Sequence, residues 1–322
     1  MTSRIVVLDP ITEKRAEQLR AIFGGEFELS HATARGEDHL KSIIADADFA
    51  ISGQVAVSGN VLRAAGKLKL LHKWGVGVDN FDLAAAAEMG IKVARTTGSN
   101  AIPVAETTIG LMLAVLRNIA LGHATLQQGD WSAVRQGPES FMLSGKSVGI
   151  VGLGHVGKAL VRLLKGFNCP VSYFKPHRLG EAEEHSLGVR YLDLPELMAQ
   201  SDIVSLHCPL TPQTTGLIDR KALGSMKRTS ILVNMARGGI VNETDLVWAL
   251  QNRIIHAAAS DVYEIEPLPV DSPLLKLPNM VTTPHLAAQA ADNFSKSVLQ
   301  MLGNIRRVQN GQPVTEADSV IG

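Results

Sequence analysis

Residues 147–167 have the sequence SVGIVGLGHVGKALVRLLKGF. The first five residues are mostly apolar and predict a buried strand. Glycines follow at Gly152, Gly154 and Gly157, and Lys158–Phe167 has the apolar spacing of an amphipathic helix. These glycines permit a tight turn, close approach of a pyrophosphate and close packing of helix on strand. Since a helix N-terminus also offers free N–H groups to phosphates, the segment predicts a dinucleotide site.

The adenosine end of this site is predicted at the next strand, Val171–Phe174. Sites that prefer NAD carry an acidic residue near the end of that strand, where it binds the ribose. Here the residues that follow the strand are Lys175, Pro176, His177 and Arg178, and none of them is acidic. Because a lysine and an arginine favour a 2′-phosphate, NADP(H) is the favoured cofactor. If both cations are merely solvated, NAD(H) is the alternative.

The rest of the sequence is typical of a two-domain globular protein. Its 322 residues exceed one ordinary core, and short strand patterns alternate with helical patterns on both sides of residue 120. This alternation predicts two doubly wound parallel α/β domains. Residues 122–145 are polar and glycine-containing, so they predict a connection. A final helix is predicted at about 288–308.

Composition excludes several classes of function. The chain has 31 basic and 31 acidic residues, without the basic stripe of a nucleic-acid-binding protein. No apolar run approaches the ~18 residues of a membrane span. The two cysteines, Cys169 and Cys208, do not make a disulfide framework and favour a reducing cytoplasm. We therefore expect a cytoplasmic protein without a metal site, which binds neither nucleic acid nor membrane.

Several further motifs follow one another in a fixed order along the chain. Together with the glycine loop they are Gly75–Asn80, Asn100 with Val104–Glu106, His207–Thr211, Asn234–Gly238, Asp261–Pro267 and Thr283–His285. On these motifs the chain resembles the D-isomer-specific 2-hydroxyacid dehydrogenases, a family of oxidoreductases that includes phosphoglycerate dehydrogenase and the hydroxypyruvate and glyoxylate reductases. The resemblance covers residues 75–288, and the first 70 residues have compatible patterning.

The resemblance also implies a domain organisation. A Rossmann cofactor domain at 100–288 would be inserted into a flavodoxin-like substrate domain formed by 1–99 and 289–322. A homodimer is expected by analogy with the family. Because the sequence stops at Gly322, soon after the last predicted helix, we expect no regulatory domain.

Reduction of a 2-oxo acid requires groups that hold the carboxylate, polarise the carbonyl and supply a proton. An arginine fork suits the first two roles, and histidine suits the third because its reference pKa is near 6.5. Arg237, Glu266 and His285 each follow a predicted strand of the cofactor domain. In the resembled family these positions hold the catalytic arginine, the glutamate that orients the histidine, and the catalytic histidine.

The remaining site residues are expected from the loop or from the resemblance. Val76 and Gly77 would offer backbone N–H groups to the substrate carboxylate, Lys73 would reach a distal anionic group or remain a surface lysine, and Asn100 would border the substrate. The other residues are expected to contact the cofactor, and they are His155, Val156, Cys208, Pro209, Met235, Ala236, Asp261, Ala287 and Thr107.

The leading hypothesis is an NADPH-dependent reductase of hydroxypyruvate or glyoxylate. Phosphoglycerate-type and D-lactate-type dehydrogenases are alternatives, the former with only Lys73 to bind a phosphate. Formate oxidation is disfavoured because it needs no proton relay, yet Glu266 and His285 are both present. From a different class, a dinucleotide-sensing protein similar to the corepressors of this fold is the alternative, and a turnover assay would distinguish it.

Overall fold

The structure, a computed structural model, describes residues 2–132 and 139–322. It divides into two compact units. The first unit comprises Met1–Asn100 with Ala290–Gly322, and the second comprises Ala101–Gln289. The boundaries predicted from the sequence, at 99/100 and 288/289, lie one residue from these.

The first unit alternates strands and helices from its N-terminus onward. Its elements are β1 (Ser3–Val7), α1 (Glu13–Phe23), β2 (Phe27–His31), α2 (Glu37–Ile44), β3 (Phe49–Ser52), α3 (Gly59–Arg63), β4 (Leu70–Lys73), α4 (Leu83–Glu88) and β5 (Lys92–Ala94).

The second unit repeats this alternation, and the chain then returns to the first unit. The elements of the second unit are α5 (Ala101–Leu116), α6 (Ile119–Gln127), β6 (Val148–Val151), α7 (His155–Leu164), β7 (Val171–Phe174), α8 (Glu181–Leu187), β8 (Val189–Tyr191), α9 (Leu194–Gln200), β9 (Ile203–Leu206), α10 (Arg220–Ser225), β10 (Ile231–Asn234), α11 (Glu243–Gln251), β11 (Ala257–Ser260) and β12 (Met280–Thr282). The first unit is completed by α12 (Phe294–Gln309) and β13 (Ser319–Ile321).

Each unit is built on one sheet. The first sheet has the order β13-β5-β4-β3-β1-β2, and the second has the order β12-β11-β10-β9-β6-β7-β8. All pairings are parallel except that of β13 with β5, an antiparallel edge that the sequence did not predict. The prediction of two parallel α/β domains is confirmed. In the second sheet, chain order reverses between β6 and β9, the kind of switch point where open α/β sheets bind ligands.

Both faces of each sheet are covered, as apolar alternation along the strands requires. On β1, Ile5 and Val7 pack with α1 and α12, whereas Val6 packs on the opposite face with α2, α3 and α4. On β6, Val148 and Ile150 pack in the same way against α5 and α7.

Two sequence-based predictions need correction. The segment 122–145, predicted as a connection, contains most of α6, and its residues 133–138 lie outside the described residues. The final helix begins at Phe294 rather than near Ala288. The residues just before that point are held as a loop, because Leu286 and Ala287 donate their backbone N–H groups to Asp261.

Among the described residues, no single helix has both the length and the hydropathy to cross a membrane. By these two measures alone, α5 and α6 pass as a pair bent by 64°. In the second unit, α5 contributes Met112 and Leu116 to the buried core.

Candidate active site

The glycine loop between β6 and α7 has the shape that a bound pyrophosphate requires. Gly152 has a φ of +95°, and a Cβ there would lie 2.5 Å from the backbone nitrogen of Cys208. A Cβ on Gly157 would lie 2.7 Å from the carbonyl oxygen of Gly152. A Cβ on Gly154 would meet no atom of the described residues within 4 Å, which leaves room beside the start of α7. These residues therefore fit a nicotinamide dinucleotide.

Other residues predicted to contact the cofactor surround this loop. His155 and Val156 begin α7, and no side chain in the described part of the chain caps its N-terminus. Burial raises the pKa of the Cys208 thiol to about 11, so this thiol is protonated at neutral pH. Strands β9 and β10 lie on one side of β6, and they lead into four more of the predicted contacts, Cys208, Pro209, Met235 and Ala236.

The segment after β7 holds the three basic residues predicted at the adenosine end. Lys175 directly follows the strand. Arg178 forms a bidentate ion pair with Glu184 of α8, with N···O distances of 2.9 and 2.8 Å. Arg178 is therefore neither a freely solvated cation nor an unpaired one, and no local pattern in the sequence indicates its partner.

The structure brings the three predicted catalytic residues together at the carboxyl edge of the second sheet. Arg237 follows β10, Glu266 lies in the loop after β11, and His285 follows β12. These three strands are neighbours. The Nδ1 atom of His285 lies 2.6 Å from Oε2 of Glu266, and both side chains are about one-third exposed. The imidazole is thus oriented by a carboxylate and accessible to a small molecule.

The electrostatics of Glu266 reflect the same arrangement. Burial raises the pKa of its carboxyl group, but the hydrogen bond to His285 and the charge of His285 oppose burial, and the pKa is lowered overall. The backbone N–H of Tyr263, 3.0 Å from Oε1, and the charge of Arg237 lower the pKa further. Glu266 is therefore ionised at neutral pH.

The loop that carries His285 is fastened by Asp261. The buried Asp261 carboxylate accepts hydrogen bonds from the Thr283 hydroxyl at 2.6 Å and from the N–H groups of Leu286 and Ala287 at 2.9 Å each. His285 itself has a φ of +49°, a conformation that needs such support. Asp261, predicted as a cofactor contact, therefore has a positioning role within the protein.

The loops that carry Arg237 and Glu266 make an unusually close contact. A Cβ built on Gly238 would lie 1.8 Å from the carbonyl carbon of Tyr263 and 2.2 Å from the nitrogen of Glu264. At Gly239, the nearest atom, Cδ1 of Leu210, would be 3.5 Å away, an ordinary contact. Only the first glycine is thus required for packing, and the pair of glycines in the sequence did not reveal which one.

Comparison with known families agrees with this geometry. Residues 109–287, more than half of the chain, match the family model described as "D-isomer specific 2-hydroxyacid dehydrogenase, NAD binding domain". The chain belongs to the D-isomer-specific 2-hydroxyacid dehydrogenase family. The resemblance inferred from the sequence motifs is thereby confirmed.

Relatives within the D-2-hydroxyacid dehydrogenase family have different names. The chain is 38% identical over 311 residues to the D-3-phosphoglycerate dehydrogenase of Methanocaldococcus jannaschii; the match covers 96% of this chain but 58% of the relative. It is 36% identical to the hydroxypyruvate reductase of Thermotoga maritima, covering 94% of this chain and 97% of that protein.

A solved structure extends the comparison to the whole fold. The NAD-dependent formate dehydrogenase from Staphylococcus aureus, in complex with NAD, matches with a TM-score of 0.86 and 31% identity, covering 99% of each chain. Family membership therefore identifies the fold and the nicotinamide-binding domain, while substrates differ among the relatives.

In the first unit, the predicted substrate contact Lys73 is buried and tied to other loops. Its side chain is among the buried residues, at 6% exposure. The ammonium group donates to the carbonyl oxygen of Gly53 and, at 2.6 Å, to Oδ1 of Asn80. It also lies 5.2 Å from the centre of the Phe81 ring. Lys73 thus connects the ends of β3 and β4 and is not the surface lysine of the alternative prediction, while its reach toward a distal anionic group stays a prediction.

The other predicted contacts have less distinctive surroundings. Val76 and Gly77 follow Gly75, whose carbonyl accepts a hydrogen bond from Thr96 at 3.0 Å, and their role toward a substrate stays a prediction. The buried Oδ1 of Asn100 has no hydrogen-bond partner among the described residues. Thr107 donates to the carbonyl of Ala287 at 3.4 Å, so two predicted cofactor contacts lie together. Across the described residues, no cluster of three or more potential ligands forms a metal site.

The contact at Gly238 gives a prediction about stability. Gly238→Ala forces a methyl group into the Tyr263 backbone and should lower the free energy of unfolding by about 3 kcal/mol, as overpacking does. Gly239→Ala is the matched control and should unfold like the parent protein. Urea denaturation of the three proteins checks this. Equal stability of both variants would show that the loops are not in contact as described.

Proposed function

We propose that the protein is an NADP(H)-dependent reductase of small 2-oxo acids such as hydroxypyruvate and glyoxylate. The observation that carries this proposal is the 2.6 Å contact between Glu266 and His285, at the same sheet edge as Arg237 and the glycine loop. A carboxylate–imidazole pair beside an arginine can hold an anion, polarise its carbonyl and deliver a proton.

Each side chain has a defined task in the proposed reaction. Arg237 binds the substrate carboxylate and polarises the C2 carbonyl, because its guanidinium donates several hydrogen bonds in fixed geometry. His285 donates its proton to the C2 oxygen as negative charge develops there. Glu266, ionised at neutral pH, keeps the imidazole aligned and stabilises its charged form. When bound, the nicotinamide cofactor supplies the hydride for C2.

The surroundings of Lys73 favour an unphosphorylated substrate. A phosphoglycerate-type enzyme needs a cation for the distal phosphate, and the sequence offers Lys73 in the recognition loop. That ammonium group is buried and already donates to Gly53 and Asn80. Releasing it to bind phosphate would leave two part-buried acceptors, the carbonyl of Gly53 and Oδ1 of Asn80, to be satisfied again. Because the chain spans 58% of the length of the phosphoglycerate dehydrogenase relatives, their activity does not decide the matter.

The preference for NADP(H) rests on the segment after β7. Lys175 stands at the strand end where an acid would bind the ribose hydroxyls of NAD, and His177 and Arg178 follow. An acidic residue at this position would repel a 2′-phosphate, whereas Lys175 and Arg178 attract it.

We further infer that the protein is a homodimer. Among the described residues from 119 to 142 of the second unit, four apolar side chains are at least half exposed, which favours burial against a second copy. They are Ile119, Leu126, Trp131 and Met142.

Sedimentation velocity of the purified protein tests this, and we expect a species of twice the monomer mass. Replacing Ile119 and Leu126 by glutamate should shift it to the monomer, because charges would then be buried at the interface. A parent protein that sediments as a monomer at micromolar concentration would contradict the inference.

Steady-state kinetics tests the proposed reaction. We expect reduction of hydroxypyruvate and glyoxylate with kcat/KM for NADPH about tenfold or more above that for NADH, since one charge-assisted contact contributes about 1.5 kcal/mol or more. Phosphohydroxypyruvate, which differs from hydroxypyruvate by its phosphate, is the matched substrate and should be reduced more slowly.

Each other outcome has a definite meaning. Preference for NADH would retain the enzyme and refute the cofactor assignment, whereas preference for the phosphorylated substrate would refute the role given to Lys73. If no 2-oxo acid, including pyruvate, is turned over, the dinucleotide-binding alternative without catalysis is favoured.

The lowered pKa of Glu266 gives a prediction about pH. Its carboxylate stays ionised above that lowered pKa, so the His285 imidazole faces an anion through neutral pH. Glu266→Gln should therefore move the alkaline limb of kcat/KM for reduction to lower pH by about one pH unit. Glu264→Gln, in the same loop, is the control and should leave the profile in place. An unchanged profile for Glu266→Gln would refute the assigned role.

A further inference from the structure

Arg178 is held in one orientation by a buried carboxylate. Its Nε lies 2.9 Å from Oε1 of Glu184, and its Nη2 lies 2.8 Å from Oε2, so the two groups meet as parallel forks. The Glu184 side chain is 10% exposed, whereas that of Arg178 is 57% exposed. One edge of the guanidinium is thus fixed by the Glu184 carboxylate, while much of the Arg178 side chain remains accessible.

A second layer fixes the carboxylate. The hydroxyl of Tyr173, a fully buried residue of β7, donates to Oε1 of Glu184 at 2.5 Å. The same hydroxyl accepts the backbone N–H of Leu179 at 2.9 Å. Tyr173, Glu184 and Arg178, here called the Arg178 clasp, therefore join β7, the following loop and α8. The hydrogen bonds from Arg178 and Tyr173 lower the pKa of Glu184 to about 2, so the clasp is intact at neutral pH.

A neighbouring ion pair, whose carboxylate is more exposed than that of Glu184, provides a comparison for the clasp. Lys158 and Glu183 also pair, at 2.5 Å, but their side chains are 33% and 46% exposed. Burying the carboxylate of Glu184 is unfavourable unless each oxygen is satisfied, so this pair needs its particular geometry. Exposed pairs have no such requirement.

The clasp leaves hydrogen-bond donors for a ligand. A guanidinium has five N–H groups, of which Glu184 uses two. The remaining donors belong to a side chain that follows β7 by four residues, in the segment with Lys175 and His177. An arginine already held in place loses less conformational freedom on binding an anion than a mobile one does.

We propose that Glu184 and Tyr173 are positioning residues that orient Arg178 toward the 2′-phosphate of NADP(H) and thereby increase the preference for that cofactor. This inference rests on the proposed preference for NADP(H). Glu184 lowers the net charge near the phosphate, so its contribution is the orientation of Arg178 and not electrostatic attraction.

Calorimetric binding of adenosine 2′,5′-bisphosphate and 5′-AMP tests the clasp without turnover. Glu184→Gln breaks the fork and should weaken binding of the bisphosphate about tenfold, roughly the effect of immobilising one long side chain. Binding of 5′-AMP should change less than about twofold. Glu183→Gln makes the same change of charge one residue away and should leave both affinities as in the parent.

Tyr173→Phe is a second variant, which keeps the ion pair and removes the hydroxyl. It should weaken bisphosphate binding less than Glu184→Gln does, again without affecting 5′-AMP. If Glu184→Gln does not fold, this variant decides, and unchanged selectivity would overturn the proposal.

The binding measurements distinguish failure of the proposed cofactor preference from failure of the clasp proposal. A parent protein that binds the bisphosphate no better than 5′-AMP would refute the proposed cofactor preference, and the clasp proposal with it. A parent that prefers the bisphosphate, with a Glu184→Gln variant that binds it equally well or better, would overturn only the clasp. In that case Glu184 merely reduces the charge of Arg178.

Discussion

The carboxylate of Asp261 accepts hydrogen bonds from Thr283, Leu286 and Ala287, and so fixes the loop after β12 to the end of β11. The contact of Gly238 with Tyr263 fixes the loop after β10 to the same segment. These contacts between loops hold Arg237, Glu266 and His285 close together, although each residue follows a different strand. A site organised in this way needs little rearrangement when charge develops on a substrate.

Much of the site could be predicted from the sequence because its signals are local. A glycine loop between a strand and a helix, and polar residues directly after strands, are both visible within a few residues. Parallel strands place their carboxyl ends on one edge, so the sequence alone assigns Arg237 and His285 to the same edge. The fold class followed from the same alternation, and the confirmed family fits it.

The unpredicted features depend on contacts between distant residues. Asp261 binds residues 22, 25 and 26 positions away, which gives it a positioning role that the sequence did not predict, while its contact with the cofactor stays a prediction. The ammonium group of Lys73 donates to the carbonyl oxygen of Gly53, which lies 20 residues earlier. The antiparallel strand β13 pairs with β5 across more than 200 residues, and α6 forms in a segment whose glycines suggested a connection.

The energetic coupling between Glu266 and His285 shows whether the two side chains act as one unit. It is measured by a double-mutant cycle on kcat for reduction of hydroxypyruvate. His285→Ala should lower kcat by ~10²-fold, as loss of a general acid does. Adding Glu266→Gln to that variant should then lower kcat by less than about a further twofold, because Glu266 no longer has His285 to orient. If Glu266→Gln lowers kcat by the same factor with and without His285, the two residues act independently, which would contradict their action as one unit.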